Sequence, residues 1–113
     1  MKITAILVAA LLGGAAAHAD LKFTCRDLVD GSHSLELAFS DDLKKVKTDF
    51  GLAAGPALKS GTLKFDALIA SAWMYTGKMT DEDSRLVVQE TMLQGGVGQA
   101  SLGSWSFRCE KVP

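Results

Sequence analysis

The chain has little of what catalysis and metal binding use. It holds two cysteines and two histidines in 113 residues, and His18 lies in the N-terminal segment read below as a signal. His33 is then the one histidine of the mature protein. With the two cysteines expected to pair with each other, one histidine falls short of an ordinary zinc site, which takes three or four nitrogen or sulfur ligands. A serine triad through His33 lacks the Gly-x-Ser-x-Gly elbow, and Gly31-Ser32-His33-Ser34 follows Asp30 as a turn, which places His33 in solvent. Asp81-Glu82-Asp83 lacks the glycine frame and distal glutamate of a calcium loop and reads as a solvated turn. Gly95-Gly96-Val97-Gly98 lacks the Gly-Lys-Ser/Thr ending of a phosphate loop. No charge of one sign dominates: the formal net charge is −1, which gives no electrostatic footprint for nucleic acid. No apolar run reaches the ~20 residues that span a bilayer. No catalytic residue, metal or cofactor is therefore expected, and the protein reads as a non-enzyme.

What is present begins with an export signal. Lys2 supplies a positive start, residues 3–12 are apolar apart from Thr4, and Ala17-His18-Ala19 forms a small-residue cleavage site. The expected organisation is a signal peptide over residues 1–19 and one domain over 20–113, periplasmic or secreted, with no membrane span after cleavage. Cleavage leaves 94 residues, 113 less 19, with a net charge of −2 once Lys2 is lost. A domain this small buries only about 60–65% of its unfolded surface, so a covalent staple matters.

The mature part alternates with period two, the pattern of strands with one face inward and one in water. Leu21, Phe23 and Cys25 alternate with Lys22, Thr24 and Arg26; Leu35, Leu37 and Phe39 with Glu36 and Ala38. Residues 45–50 and 63–69 repeat the pattern, the latter as Leu63, Phe65, Ala67 and Ile69 against Lys64, Asp66 and Leu68. Trp105, Phe107 and Cys109 close the chain. Residues 85–93 read as a further strand, and Trp73 and Tyr75 sit on one face of another. Turn signals at Asp30-Gly31, 40–42, 51–61 and 80–84 separate the runs, and the glycines from Gly95 to Gly103 read as a flexible connection. The segment 41–50 also fits a short helix through Leu43, Val46 and Phe50; no other helix is expected. The fold class is all-β, a small antiparallel barrel or sandwich of six to eight strands.

The two cysteines organise this fold. Each follows a phenylalanine by two residues, so each points to the core face of its strand, and export carries both to an oxidising compartment. A Cys25–Cys109 disulfide would join the two ends of the domain. The first and last strands are then neighbours, which closes a barrel, or face each other across a sandwich; both remain open here.

In strand layout, and in Phe23-Thr24-Cys25 with Phe107-Arg108-Cys109, the chain resembles the short periplasmic barrels that inhibit C-type lysozymes. The resemblance implies a small antiparallel barrel, an early cysteine paired with a late one, and a protein partner. That family's inhibitory Ser-Gly loop, with its following Tyr and Trp-Thr-Lys-Gly stretch, has no counterpart, since Ser71-Ala72-Trp73-Met74-Tyr75-Thr76-Gly77-Lys78 departs from it. No inhibitory residue is carried over. The expected function is a small exported binding protein, protein-binding or inhibitor-like. Its candidate contacts are Trp73, Tyr75 and the loop residues Gly95, Gly96 and Gly98. Two alternatives stand beside it: a secreted hydrolase using a carboxylate pair from Asp66, Glu90 or Asp81, and a carrier of a small ligand inside a hollow barrel.

Overall fold

A computed structural model describes residues 21–113, so the signal expected over 1–19 and its expected cleavage site lie outside the described residues. The elements run β1 (Leu21–Asp27), β2 (His33–Phe39), β3 (Lys45–Leu52), β4 (Ala57–Ile69), β5 (Ala72–Met79), β6 (Glu82–Gln89), α1 (Glu90–Gly95), β7 (Val97–Leu102) and β8 (Trp105–Lys111). Each strand pairs antiparallel with the next, and β8 pairs with β1, so the sheet closes into an eight-stranded barrel. Of the two architectures left open by the sequence, the barrel is the one formed. Closure removes free sheet edges, which is how a small β domain avoids edge-to-edge association.

The inward positions are those the alternation marks. Phe23, Leu35, Leu37, Phe39, Val46, Leu63, Tyr75, Met79, Leu86, Val88 and Phe107 are buried and fill the interior. Lys22, Arg26, Glu36, Lys47, Arg108 and Glu110 alternate with them on the exposed outer face. Cys25 stands directly opposite Cys109 across the β1–β8 seam, the two are disulfide-bonded, and both are fully buried. One residue beyond β8, the Val112 N–H donates to the Lys22 carbonyl at 2.9 Å.

Antiparallel order sorts the connections into two ends. One end carries residues 40–44, the Ala70-Ser71 turn and α1, and is called the helix end. The other carries residues 28–32, 53–56, 80–81 and 103–104, and is called the mouth end.

Several expectations are corrected. Residues 85–93 are not one strand: β6 stops at Gln89 and α1 follows. Met92 of α1 is fully buried, and the helix ends where Gly96 takes φ 83° and donates its N–H to the Met92 carbonyl. A Cβ at Gly98 would sit 2.7 Å from Met92 Cβ, so the helix packs on β7 only because residue 98 has no side chain. The glycines thus serve a helix cap and a close approach, and 97–102 is strand rather than loop. Residues 45–52 are strand, which removes the helical reading of 41–50, and the connection placed over 51–61 shrinks to 53–56. The alternation over 63–69 breaks at a register shift between Phe65 and Ala67. Beyond this bulge Leu68 lies opposite Trp73 and shares its face, while Ile69 moves to the other face opposite Ala72.

Candidate functional site

At the helix end, the hairpin of β4 and β5 carries apolar side chains into solvent. Phe65, Leu68 and Ile69 are 39%, 47% and 58% exposed. Leu68 and Trp73, on the inward-facing side of the hairpin, sit one step nearer its tip than Phe65 and buried Tyr75. Trp73 is half-buried: its indole lies 5.3 Å from the Phe65 ring, and its Nε1–H donates to Glu90 Oε2 at 3.3 Å. The Glu90 N–H in turn donates to the Ser71 carbonyl at 2.9 Å, which ties the start of α1 to the hairpin turn. That turn has only two residues, and Ala70 and Ser71 take φ 52° and 66°. Both belong to a turn type that Asn and Gly normally fill, so the tip holds two residues with side chains in a conformation that disfavours them.

The structure separates the two aromatic candidates. Tyr75 is fully buried and presents nothing to a partner; its hydroxyl donates to the Leu43 carbonyl at 2.7 Å. Burial, with a smaller push from the Asp42 charge, raises its pKa to about 12. The acceptor residue Leu43 itself has φ 61°, so the buried phenol braces a strained loop residue. Of the glycine candidates, Gly96 and Gly98 have the structural roles given above, and Gly95 is the exposed last residue of α1.

The mouth end is polar and aromatic. Asp27 sits on the inward register of β1 with its side chain 1% exposed. Its Oδ1 accepts the N–H groups of Val29, Asp30 and Gly31 at 3.0, 3.0 and 3.3 Å, and its Oδ2 accepts that of His33 at 2.7 Å. These bonds, led by that from Asp30, hold its pKa down at about 2. His33 is not the solvated turn residue the sequence suggested. It opens β2, and its ring lies 5.6 Å from Phe50 and 4.4 Å from Trp105.

Ser32, His33 and Asp27 are close together, yet not as a triad. Ser32 Oγ lies 3.0 Å and Asp27 Oδ2 3.9 Å from the same ring atom, Nδ1. A hydrolytic triad sets the nucleophile on Nε2 and the carboxylate on Nδ1. Asp27 is also fully engaged by the loop it organises. The carboxylates weighed for hydrolysis are split between the ends: Asp81 lies in the mouth-end turn, Glu90 starts α1 at the helix end, and Asp66 lies at the bulge beyond Phe65.

Beside His33, the strand starts and ends form a cup of about 240 Å³. Phe50 and Leu102 form its floor, and Trp105, 36% exposed, lines one side. Lys59, Glu82 and Ser84 reach it from the inward register, opposite Phe50, Met79 and Gly77 respectively, and the Lys59 ammonium is paired with the Glu82 carboxylate. Sequence reasoning missed this cup. The available signal was polar residues, Lys59, Glu82 and Ser84, on the inward phase of otherwise apolar strands. Among the described residues, no group of three or more His, Cys, Asp or Glu side chains converges to hold a metal. Comparison with protein-family models, with curated proteins and with solved structures finds no match to this chain.

Proposed function

We propose that the chain is a small exported binding protein without catalytic activity, and that it docks another protein on the apolar tip of the β4–β5 hairpin. The observation that carries this reading is the exposure of Phe65 and Leu68 on the inward side of one hairpin tip and of Ile69 on its other face, with half-buried Trp73 opposite Leu68. Clustered exposed apolar side chains mark interaction sites, and a tryptophan anchor is the residue type that dominates interface energies. The strained turn fits the same reading, since unfavourable backbone conformations persist where a surface is shaped for use. The buried disulfide supports an oxidising destination. Among the described residues no helix is long and apolar enough to cross a membrane. The charged outer strand faces suit water rather than lipid.

The test is site-specific photo-crosslinking in the exporting cell from a probe at Phe65, with a probe at Lys47 on the outer wall as control. The expected result is a covalent adduct with one exported protein from position 65 only, lost in the Leu68→Asp/Ile69→Asp variant, with the melting midpoint unchanged. An adduct that survives the double substitution, or no adduct, refutes the docking site. Addition of the purified protein to a C-type lysozyme separates the inhibitor reading: no loss of lytic activity leaves binding in place and removes lysozyme as the partner.

A further inference from the structure

We infer that the cup at the mouth end is a binding site for a single neutral pyranose sugar, stacked on Trp105. This site lies at the opposite end of the barrel from the hairpin tip and does not depend on the docking reading.

Size comes first. A cup of about 240 Å³ corresponds to roughly eight waters at ~30 Å³ each, and lies below the ~300–1,000 Å³ of sites for drug-sized ligands. It admits one six-membered ring with its substituents, not an extended chain. Shape and polarity come next. Trp105 is more than a third exposed at the mouth although its strand neighbours Phe107 and Cys109 are buried. Its ring is backed by His33 and by Phe50, whose centroid is 5.3 Å away, so the indole is held by aromatic packing and is not free to turn inward. A rigid, half-exposed aromatic plane is apolar surface without a partner. The C–H face of a pyranose is a flat apolar surface of matching size, on a ligand whose rim is all hydroxyl.

Charge then selects among polar ligands. Lys59 offers donors, Glu82 offers acceptors, and Ser84 and Ser104 offer both. The charged lining side chains on the inward phase are one cation and one carboxylate, Lys59 and Glu82, so no net field favours an anion or a cation. Lys59 and Glu82 already neutralise each other, as Lys78 and Asp83 do at 3.0 Å on the outer face. An ionic ligand in the cup would have to break the Lys59–Glu82 pair. A sugar hydroxyl both donates and accepts, and so bridges such groups without separating them.

The experiment is a ¹H–¹⁵N NMR titration of the mature protein with the methyl glycosides of glucose, galactose, mannose and N-acetylglucosamine, each to about 100 mM. Sorbitol, a polyol without the ring face, and sodium sulfate and tetramethylammonium chloride are the comparison probes. The expected result is saturable shifts from at least one glycoside, confined to the Trp105 indole N–H and the backbone of residues 82–85 and 102–105. Trp105→Ala should weaken binding at least tenfold, and Glu82→Gln, which leaves the aromatic packing intact, at least threefold. Any of four results overturns the proposal: no saturable shift with all four glycosides, equal binding of sorbitol, tighter binding of sulfate or tetramethylammonium, or shifts that map away from the cup. If Trp105→Ala unfolds, Glu82→Gln decides.

Discussion

Removing the Cys25–Cys109 bond tests how much of the stability comes from the seam. The bond closes a loop of 84 residues. The chain-entropy relation gives about 15 cal/mol/K for that length, or about 4–5 kcal/mol at 25 °C, and the compactness of real unfolded chains brings the expected loss to about 4 kcal/mol. Both sulfurs are fully buried, so Cys25→Ala/Cys109→Ala also leaves a small void, which acts in the same direction. For the 93 residues from 21 to 113, an unfolding entropy of ~2.1 cal/mol/K per residue totals about 0.2 kcal/mol/K, so a 4 kcal/mol loss lowers the melting midpoint by about 20 °C. Thermal melts by circular dichroism, with urea unfolding alongside, measure both parts. The urea m-value should rise, because the uncrosslinked chain exposes more surface when unfolded. A midpoint shift under 5 °C with an unchanged m-value would refute the reasoning: the strands flanking the seam would then hold it without help.

Three further outcomes follow from single contacts. Tyr75→Phe leaves the Leu43 carbonyl without its donor and should cost about 1 kcal/mol in urea unfolding; no change would mean water replaces the phenol. Ser71→Gly removes one strained positive φ and should stabilise by about 0.5–1 kcal/mol, read by the same melt. Asp27 has its pKa depressed on folding, so its stabilising contribution is complete above pH ~4 and disappears as the pH falls towards 2. The melting midpoint of Asp27→Asn should accordingly depend less on pH between 4 and 2 than that of the parent, and parallel profiles would contradict this.

The all-β class and its inward face were legible because the two faces of each strand meet different surroundings, whereas closure into a barrel rather than a sandwich came only from the pairing of β8 with β1. Phe23, Cys25, Leu35, Leu37, Phe39, Phe107 and Cys109 mark the inner face by simple alternation, and the placement of the cysteines followed from the same phase. The bulge after Phe65 was not legible, because one extra residue in one strand leaves the composition strand-like while turning every later side chain over. The helix α1 has only six residues, too few for a 3.6-residue period to separate from a strand. His33, Phe50 and Trp105 lie on three strands, and only the register of a closed barrel brings them together. Trp73 was recognised as a candidate but not its half-buried place opposite exposed Leu68 near the hairpin tip, since exposure depends on the register set by the bulge.

The hydrogen bond from Val112 to Lys22 fixes where the described residues begin and end in space. Both described termini lie side by side at the helix end, so a short linker between them would make a circular chain without disturbing the wall. New ends opened within the exposed 53–56 connection would then fall at the mouth end, next to the cup. Such a permutant exchanges which end of the barrel carries a tether. Attached to a surface through residues 21 and 113, the barrel offers the cup to solution and crowds the hairpin tip; attached through the permuted ends, it does the reverse.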